Sequence, residues 1–356
     1  MALNSKILAL KIDKNSSLIF AMKQMDQLDK KSLLVFEDDR FINILSIGDI
    51  QRAILKNCDL NSPIYNIIRK TTKLASVDMS ILEIKTLMKE FRMEILPLLD
   101  SHGVLINVHF WEDFFKSDKR LKKTKLDIPV IIMAGGQGTR MRPLTNIIPK
   151  PLIPVGNSSI IEEIISRFQD VGCNNFFSSV NYKSEIIEFY FNQIKDKSYN
   201  INFFKEEKPL GTAGSLHLLK GQINSTFFVS NCDILINDDY EEMYNYHKKN
   251  NNELTIISAI KDYSIPYGTL VTKNDGILID ITEKPDLNFQ INTGFYIVEP
   301  HLIDEIPENI FFHITHLIEK LLKENRKVGV FPVSSGSWTD IGVWSEYLKY
   351  INTDKK

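Results

Sequence analysis

Hydrophobic residues in the first third of the chain fall into a pattern that occurs twice. Leu18, Met22, Met25 and Leu28 recur at helical spacing, and so do Ile81, Ile84, Leu87, Met88 and Phe91, with Ser80 placed to cap the second helix. Each helix is followed by two short apolar runs around a polar turn. The runs are 32–36 and 41–45 around Glu37-Asp38-Asp39, then 94–98 and 105–108 around Asp100-Ser101-His102-Gly103. Each copy ends on an acidic helix start, Gly48-Asp49-Ile50 and Glu112-Asp113-Phe114. A unit this small buries little surface alone, so the two copies are expected to pack together.

From residue 128 the pattern changes. Ile128-Pro129-Val130-Ile131-Ile132-Met133 is apolar throughout, as in a strand covered on both faces. Ile160, Ile161, Ile164, Ile165 and Phe168 form one helical stripe, with Glu162 and Glu163 outside it. Further strands are predicted at 176–180, 227–230, 255–260 and 295–298, and a helix at 185–191. Strands alternating with helices predict an α/β fold with a mixed, mostly parallel sheet.

A chain of 356 residues is longer than one core usually serves. The pattern divides it into residues 1–118 (copies at about 1–60 and 61–118), a basic linker at 119–127, and a second domain at 128–356. An apolar fraction of 43% and a charged fraction of 25% are ordinary for a globular protein. The net charge of -2 gives no electrostatic case for a nucleic-acid partner. The basic run 116–125 lacks interleaved aromatics and reads as a solvated linker. Cys58, Cys173 and Cys232 are far apart, which argues against a disulfide framework or a zinc site. No window approaches the roughly 18 apolar residues of a membrane helix, so a cytoplasmic protein with no membrane partner is expected.

The strand at 128–133 runs into Ala134-Gly135-Gly136-Gln137-Gly138-Thr139-Arg140. A glycine turn after a strand lets backbone N–H groups approach a phosphate with no Cβ in the way. The spacing is neither the dinucleotide fingerprint nor a P-loop. Lys150 follows within Pro149-Lys150-Pro151, where the prolines fix the backbone around it. An Arg fork and a Lys point charge beside such a turn suit a polyphosphate. His313 and His316 are spaced as a metal pair, but no third ligand is near, and they read as ordinary helix positions.

Residues 128–350 resemble the sugar-1-phosphate nucleotidylyltransferases, through Gly135-Gly136-Gln137-Gly138-Thr139-Arg140, Pro149-Lys150-Pro151 and Trp338-Thr339-Asp340-Ile341-Gly342. The resemblance implies a Rossmann-like, GT-A-like nucleotidyltransferase domain that takes a nucleoside triphosphate and a sugar 1-phosphate, with Mg²⁺ as cofactor. It implies nucleotide contacts from Ala134, Gly135, Gly136, Gly138 and Thr139, and catalytic charges at Arg140, Lys150 and Lys284. Pro209-Leu210-Gly211-Thr212-Ala213-Gly214-Ser215 is similar to the family's second nucleotide loop, which implies that Gly211, Thr212 and Ala213 close over the base. Glu206 and Glu207 resemble the acidic stretch that meets guanine, whose N1–H and 2-amino group both donate to a carboxylate. Two solvent-facing glutamates are the alternative. Asp233 and Asp340 are the implied Mg²⁺ ligands, with Cys232 where the family often has glycine. Tyr267, Gly268, Glu283, Asn292, Thr293 and Gly294 are the implied sugar-phosphate pocket.

Residues 1–118 resemble a tandem pair of CBS domains. The likeness implies that Ser46 and Asp49 hold the ribose of an adenine nucleotide, whereas Phe110 stands where the second copy needs a hydroxyl. It also implies a homo-oligomer through the CBS pair. Packing or dimerisation with no ligand is the alternative. CBS-fused relatives resemble the glucosamine-1-phosphate guanylyltransferases of nonulosonic acid pathways such as that to legionaminic acid, which implies GTP and glucosamine 1-phosphate as substrates. A uridylyl- or cytidylyltransferase for another hexose or heptose phosphate is the second reading. A non-catalytic nucleotide-sugar sensor is the alternative of another class.

Overall fold

The computed structural model describes residues 4–91, 93–115 and 125–353. The chain divides into two compact units, Met1–Lys122 and Lys123–Lys356. The segment predicted as a basic linker lies largely outside the described residues.

The first unit is built twice from one supersecondary unit. The first copy runs β1 (Lys11–Asp13), α2 (Leu18–Leu28, after a short α1 at Ser5–Ala9), β2 (Ser32–Glu37), β3 (Arg40–Ser46) and α3 (Ile47–Leu55). The second runs β4 (Ala75–Ser76), α4 (Ile81–Glu90), β5 (Ile95–Leu99), β6 (Leu105–Phe110) and α5 (Trp111–Phe114). In each copy the first strand pairs in parallel with the second, and the second and third form a hairpin. The opening strands were not visible in the pattern because two or three residues are too few to show alternation. Ser46 with Asp49, and Ser80 with Glu83, close reciprocal capping boxes that start α3 and α4.

The second unit carries a sheet whose seven described strands lie in the order β11-β10-β7-β12-β17-β14-β18. In chain order the strands are β7 (Val130–Met133), β8 (Pro154–Val155), β9 (Ser158–Ser159), β10 (Asn175–Val180), β11 (Asn200–Lys205), β12 (Phe227–Asn231), β13 (Ile234–Ile236) and β14 (Leu254–Ser264). They continue as β15 (Thr269–Thr272), β16 (Leu278–Thr282), β17 (Asp286–Val298), β18 (Val328–Val333) and β19 (Trp338–Asp340). Only β17 of the seven runs against its neighbours. The central strand starts at Val130 rather than 128, because Pro129 has no N–H for the ladder.

Successive residues of the central strands serve opposite layers. Val130 and Ile132, with Phe228, Phe295 and Ile297, join one core under α6 (Ile160–Asp170), α7 (Ser184–Gln193) and α9 (Tyr240–Lys249). Ile131 and Met133, with Phe227, Val229 and Tyr296, join the other, under α10 (Ile314–Lys323). Phe168 centres the first core, its ring 5.1–5.6 Å from those of Tyr240, Phe228 and Phe295. Both faces are covered, which is why these strands read as unbroken apolar runs. Among the described residues no helix is long and apolar enough to cross a membrane.

One ionic cluster ties the far edge of this unit together. Arg326 donates from Nε to both carboxylate oxygens of Glu253, at 3.1 and 3.0 Å, and from Nη1 to Glu305, at 2.6 Å. Hydrogen bonding to Arg326 pulls the Glu253 carboxyl down to about 2, with burial opposing and His301 helping. A folded-state pKa depressed from 4.5 means that the stabilisation is complete above that value and is lost as pH falls toward 2. Arg326→Ala is expected to cost about 2 kcal/mol at pH 7. In denaturant titrations across pH, the gap to wild type should narrow through that acid window; a gap independent of pH would refute this account.

Candidate active site

The central strand β7 ends at Met133, and the N–H of Ala134 after it donates to the Ser179 carbonyl at 3.1 Å. The glycine turn then leads to a single 3-10 turn, Thr139–Met141, that presents Arg140. Gly138 is left-handed at φ +63, and its carbonyl accepts from Thr145 Oγ1 at 2.9 Å. A second 3-10 turn, Lys150–Leu152, sets Lys150 in a largely buried position, with Pro149 and Pro151 on either side.

Asp233 stands between β12 and β13, and Asp340 ends β19. Antiparallel pairing of β13 with β19 places Ile234 opposite Asp340, and Ile341 N donates to the Asp233 carbonyl at 2.9 Å. The two carboxylates therefore converge. Arg140 spans them, with Nη2 3.2 Å from Asp233 and Nη1 3.1 Å from Asp340, and Lys150 Nζ bonds the same Asp233 oxygen as Arg140. Burial and the neighbouring Asp233 charge raise the Asp340 pKa against the pull of Arg140. Cys232 is an inert spacer in the core, since burial pushes its thiol up to about 12.

Two crowded carboxylates with hard oxygens fit a cation such as Mg²⁺, which needs only one or two protein carboxylates beside water and phosphate ligands. Among the described residues no third His, Cys, Asp or Glu completes an all-protein metal cage.

These aspartates and Arg140 line a cleft of about 430 Å³. One wall is the short helix α8 (Gly211–Gly214) with Thr212. Another comes from β17, where an irregularity in pairing matches Ile257 with Phe295 but Ser258 with Asn292. The residues skipped there turn Asn292, Thr293 and Gly294 into the cleft. Thr293 Oγ1 donates to the Ile257 carbonyl at 2.6 Å and fixes that bulge.

Residues 129–356 match the model of the nucleotidyl transferase family. The chain belongs to that family. It is 34% identical over 226 residues to a mannose-1-phosphate guanyltransferase of Pichia angusta, covering 61% of this chain and 62% of that protein. It is also 34% identical over 242 residues to the mannose-1-phosphate guanyltransferase of Saccharomyces cerevisiae, covering 63% and 64%. The match thus spans under two thirds of either relative. Among solved structures, HddC from Yersinia pseudotuberculosis is similar at 26% identity and a TM-score of 0.51, covering 64% of this chain and 99% of that one. The same protein complexed with GMP-PN is similar at 25% identity and a TM-score of 0.50, covering 64% and 99%.

Within this member of the family the glutamates separate. Glu206 is buried, and one of its oxygens accepts from Leu210 N at 3.0 Å. The other lies so close to Gly135 that a Cβ there would be 2.7 Å from it. Burial raises the Glu206 pKa, against hydrogen bonds from Leu210, Ser215 and Ser179. Glu207 is exposed.

Four residues assigned to catalysis or the sugar pocket are not brought to the cleft. Tyr267, Gly268, Glu283 and Lys284 flank the small hairpin β15–β16, and the Glu283 and Lys284 side chains are 71% and 68% exposed. The cause is the length of the β14–β17 ribbon, which stays paired from Ser258 and Asn292 out to Ser264 and Asp286. At 3.3 Å per residue that carries the hairpin about 20 Å along the ribbon from Asn292. Conversely, Asn231, Trp338 and His313 line the cleft unannounced. The first two sit beside the motif aspartates, which was a usable signal. His313 had none beyond its HxxH spacing.

Gly342 leaves room for the carboxylate pair. Its N–H donates to Asp340 at 2.9 Å, and a Cβ would fall onto the Asp233 carboxylate and within 2.5 Å of Lys150 Nζ. Gly342→Ala is expected to melt near wild type yet lose roughly 100-fold in nucleotidyl transfer, the scale of an ångström's misplacement. Unimpaired transfer by a folded variant would show that the pair tolerates displacement.

Proposed function

We propose that the chain transfers a nucleotidyl group from a nucleoside triphosphate to a sugar 1-phosphate. The observation that carries this reading is the convergence of Arg140 and Lys150 on the Asp233–Asp340 pair beside the glycine turn. An oxygen of the sugar phosphate forms a bond to the α-phosphorus as the bond to the bridging oxygen breaks, and pyrophosphate leaves. The nucleophile is already an anion, so no general base is required; the obstacle is repulsion between two polyanions. Arg140, more than half exposed, is able to turn from the carboxylates to a phosphate, whereas buried Lys150 holds Asp233 in place. Asp233 and Asp340 would hold Mg²⁺, which when bound supplies a hard cation shared with triphosphate oxygens.

Guanine is the base we favour. Glu206 places a carboxylate oxygen beside Gly135 of the glycine turn, and a carboxylate is the group that accepts from the N1–H and 2-amino group of guanine. The mannose-1-phosphate guanyltransferase relatives and the GMP-PN complex point to the same base. Glucosamine 1-phosphate is the proposed acceptor, with mannose 1-phosphate its direct competitor.

Pyrophosphate release with Mg²⁺ should be measured for GTP, UTP, CTP, ATP and dTTP against glucosamine, N-acetylglucosamine, glucose and mannose 1-phosphates. Release with GTP and glucosamine 1-phosphate is the expected outcome. Release with UTP or CTP would discard the guanine reading, and silence from folded protein would favour a nucleotide-sugar sensor.

We also propose that the first unit is a CBS pair that takes an adenine nucleotide. Its Ser46–Asp49 site is filled from within: Arg69 donates to Ser46 Oγ at 2.8 Å and to both Asp49 oxygens, and Arg52 reaches Asp49 at 2.5 Å. Burial works against the Asp49 charge, but Arg69 and Ser46 outweigh it and hold the carboxyl below its usual range. A ribose must displace Arg69. Calorimetry with AMP, ADP and ATP should therefore show about tenfold tighter binding to Arg69→Ala than to wild type; no binding by either protein would leave the pair a purely structural element.

A further inference from the structure

His313 precedes α10 and shares the cleft with Thr212, Asp233 and Asp340. Its place is fixed by the backbone before it. Phe312 N donates to the Leu210 carbonyl at 2.8 Å, and the Phe312 carbonyl accepts from Ala213 N and Gly214 N at 3.1 and 2.8 Å. The segment before His313 and α8 are thus stapled to each other through the backbone of Phe312.

The ring is oriented as well. Its Nδ1 faces Thr212, whose backbone N–H lies at 3.4 Å and whose hydroxyl lies at 3.3 Å. A backbone N–H only donates, so Nδ1 accepts and the ring's N–H donor is Nε2. The Thr212 hydroxyl oxygen in turn accepts from Ile314 N at 3.1 Å. Phe311 packs on the ring edge-on at 4.7 Å between centroids. None of the described hydrogen bonds uses Nε2. His316 differs: it is exposed, and its Nδ1 accepts from His313 N at 3.2 Å, which makes it part of the helix start. Among the described residues no third His, Cys, Asp or Glu joins the two histidines.

We infer that His313 binds substrate, donating Nε2–H to an acceptor oxygen of the phosphorylated molecules held between α8 and the Asp233–Asp340 pair. This rests on the nucleotidyl-transfer reading. Phosphate and sugar oxygens both accept, and Arg140 supplies donors elsewhere in the cleft, so a fixed N–H donor on the α8 side completes the grip. The order of roles is set by Thr212, which holds Nδ1 and leaves the other nitrogen for the ligand.

The test is calorimetric titration of wild type, His313→Ala and His313→Gln with pyrophosphate, GTP, glucosamine 1-phosphate and mannose 1-phosphate, each with Mg²⁺. Melting curves and steady-state kinetics accompany it. His313→Ala should bind at least one of these ligands about tenfold more weakly, the usual worth of one hydrogen bond, with an unshifted melt. His313→Gln, which places an amide donor near the Nε2 position, should recover most of the loss. A loss confined to pyrophosphate and GTP puts the oxygen on the nucleotide; a loss confined to the sugar phosphates puts it on the acceptor; either supports the inference. Unchanged affinity for every ligand, or a lowered melting point with no recovery in the Gln variant, overturns it. If wild type binds these ligands but turns over no substrate pair, the transfer reading fails while the binding comparison still decides the role of His313. If wild type binds none of them, both fail.

Discussion

Two aspartates held side by side beyond the carboxyl end of a central strand are the constraint around which the second unit is arranged. Like charges in a partly buried site repel, and the rise in the Asp340 pKa from burial and from Asp233 registers that cost. The structure offsets it with Arg140 and Lys150, both placed by the turns that follow the central strand. The same electrostatics suit the carboxylate pair to the metal and polyphosphate proposed for it. Gly342, the turn at Cys232-Asp233 and the β13–β19 pairing together make this meeting possible.

The sheet explains why the site is where it is. Loops after β7, β10, β11 and β12 leave one end of their strands together, and antiparallel β17 brings its bulge to the same place. In an open α/β sheet the carboxyl ends of the parallel strands are where backbone N–H groups and short turns gather without disturbing the core. Successive residues of β7 and β12 alternate between the two core layers, which leaves the strand ends for chemistry.

The first unit shows how a local motif and the ligand site proposed for it use the same groups. Ser46 and Asp49 satisfy the first turn of α3 and also accept from Arg69. A capping box and a ribose clamp ask for the same residue types at the same spacing, and only the neighbour that reaches in distinguishes a filled site from an open one.

Much of this was legible in the sequence, because strands buried on both faces, capped amphipathic helices and a glycine turn followed by a fixed lysine are local patterns. Phe168 and its stripe, the 130–133 run and the Ser80 cap needed nothing from the rest of the chain. The aspartates were legible only through their motif. Tertiary structure decided which residues meet. Strand register, unreadable from composition, carried Glu283 and Lys284 out along the ribbon and turned Asn292 in. Burial, a property of the whole fold, separated Glu206 from Glu207. Backbone pairing between Leu210 and Phe312, about a hundred residues apart, made His313 a wall of the cleft instead of a helix surface position. Local free energies follow from neighbouring residues; a site follows from contacts between residues distant in the chain, and these exist only once the core has chosen its packing.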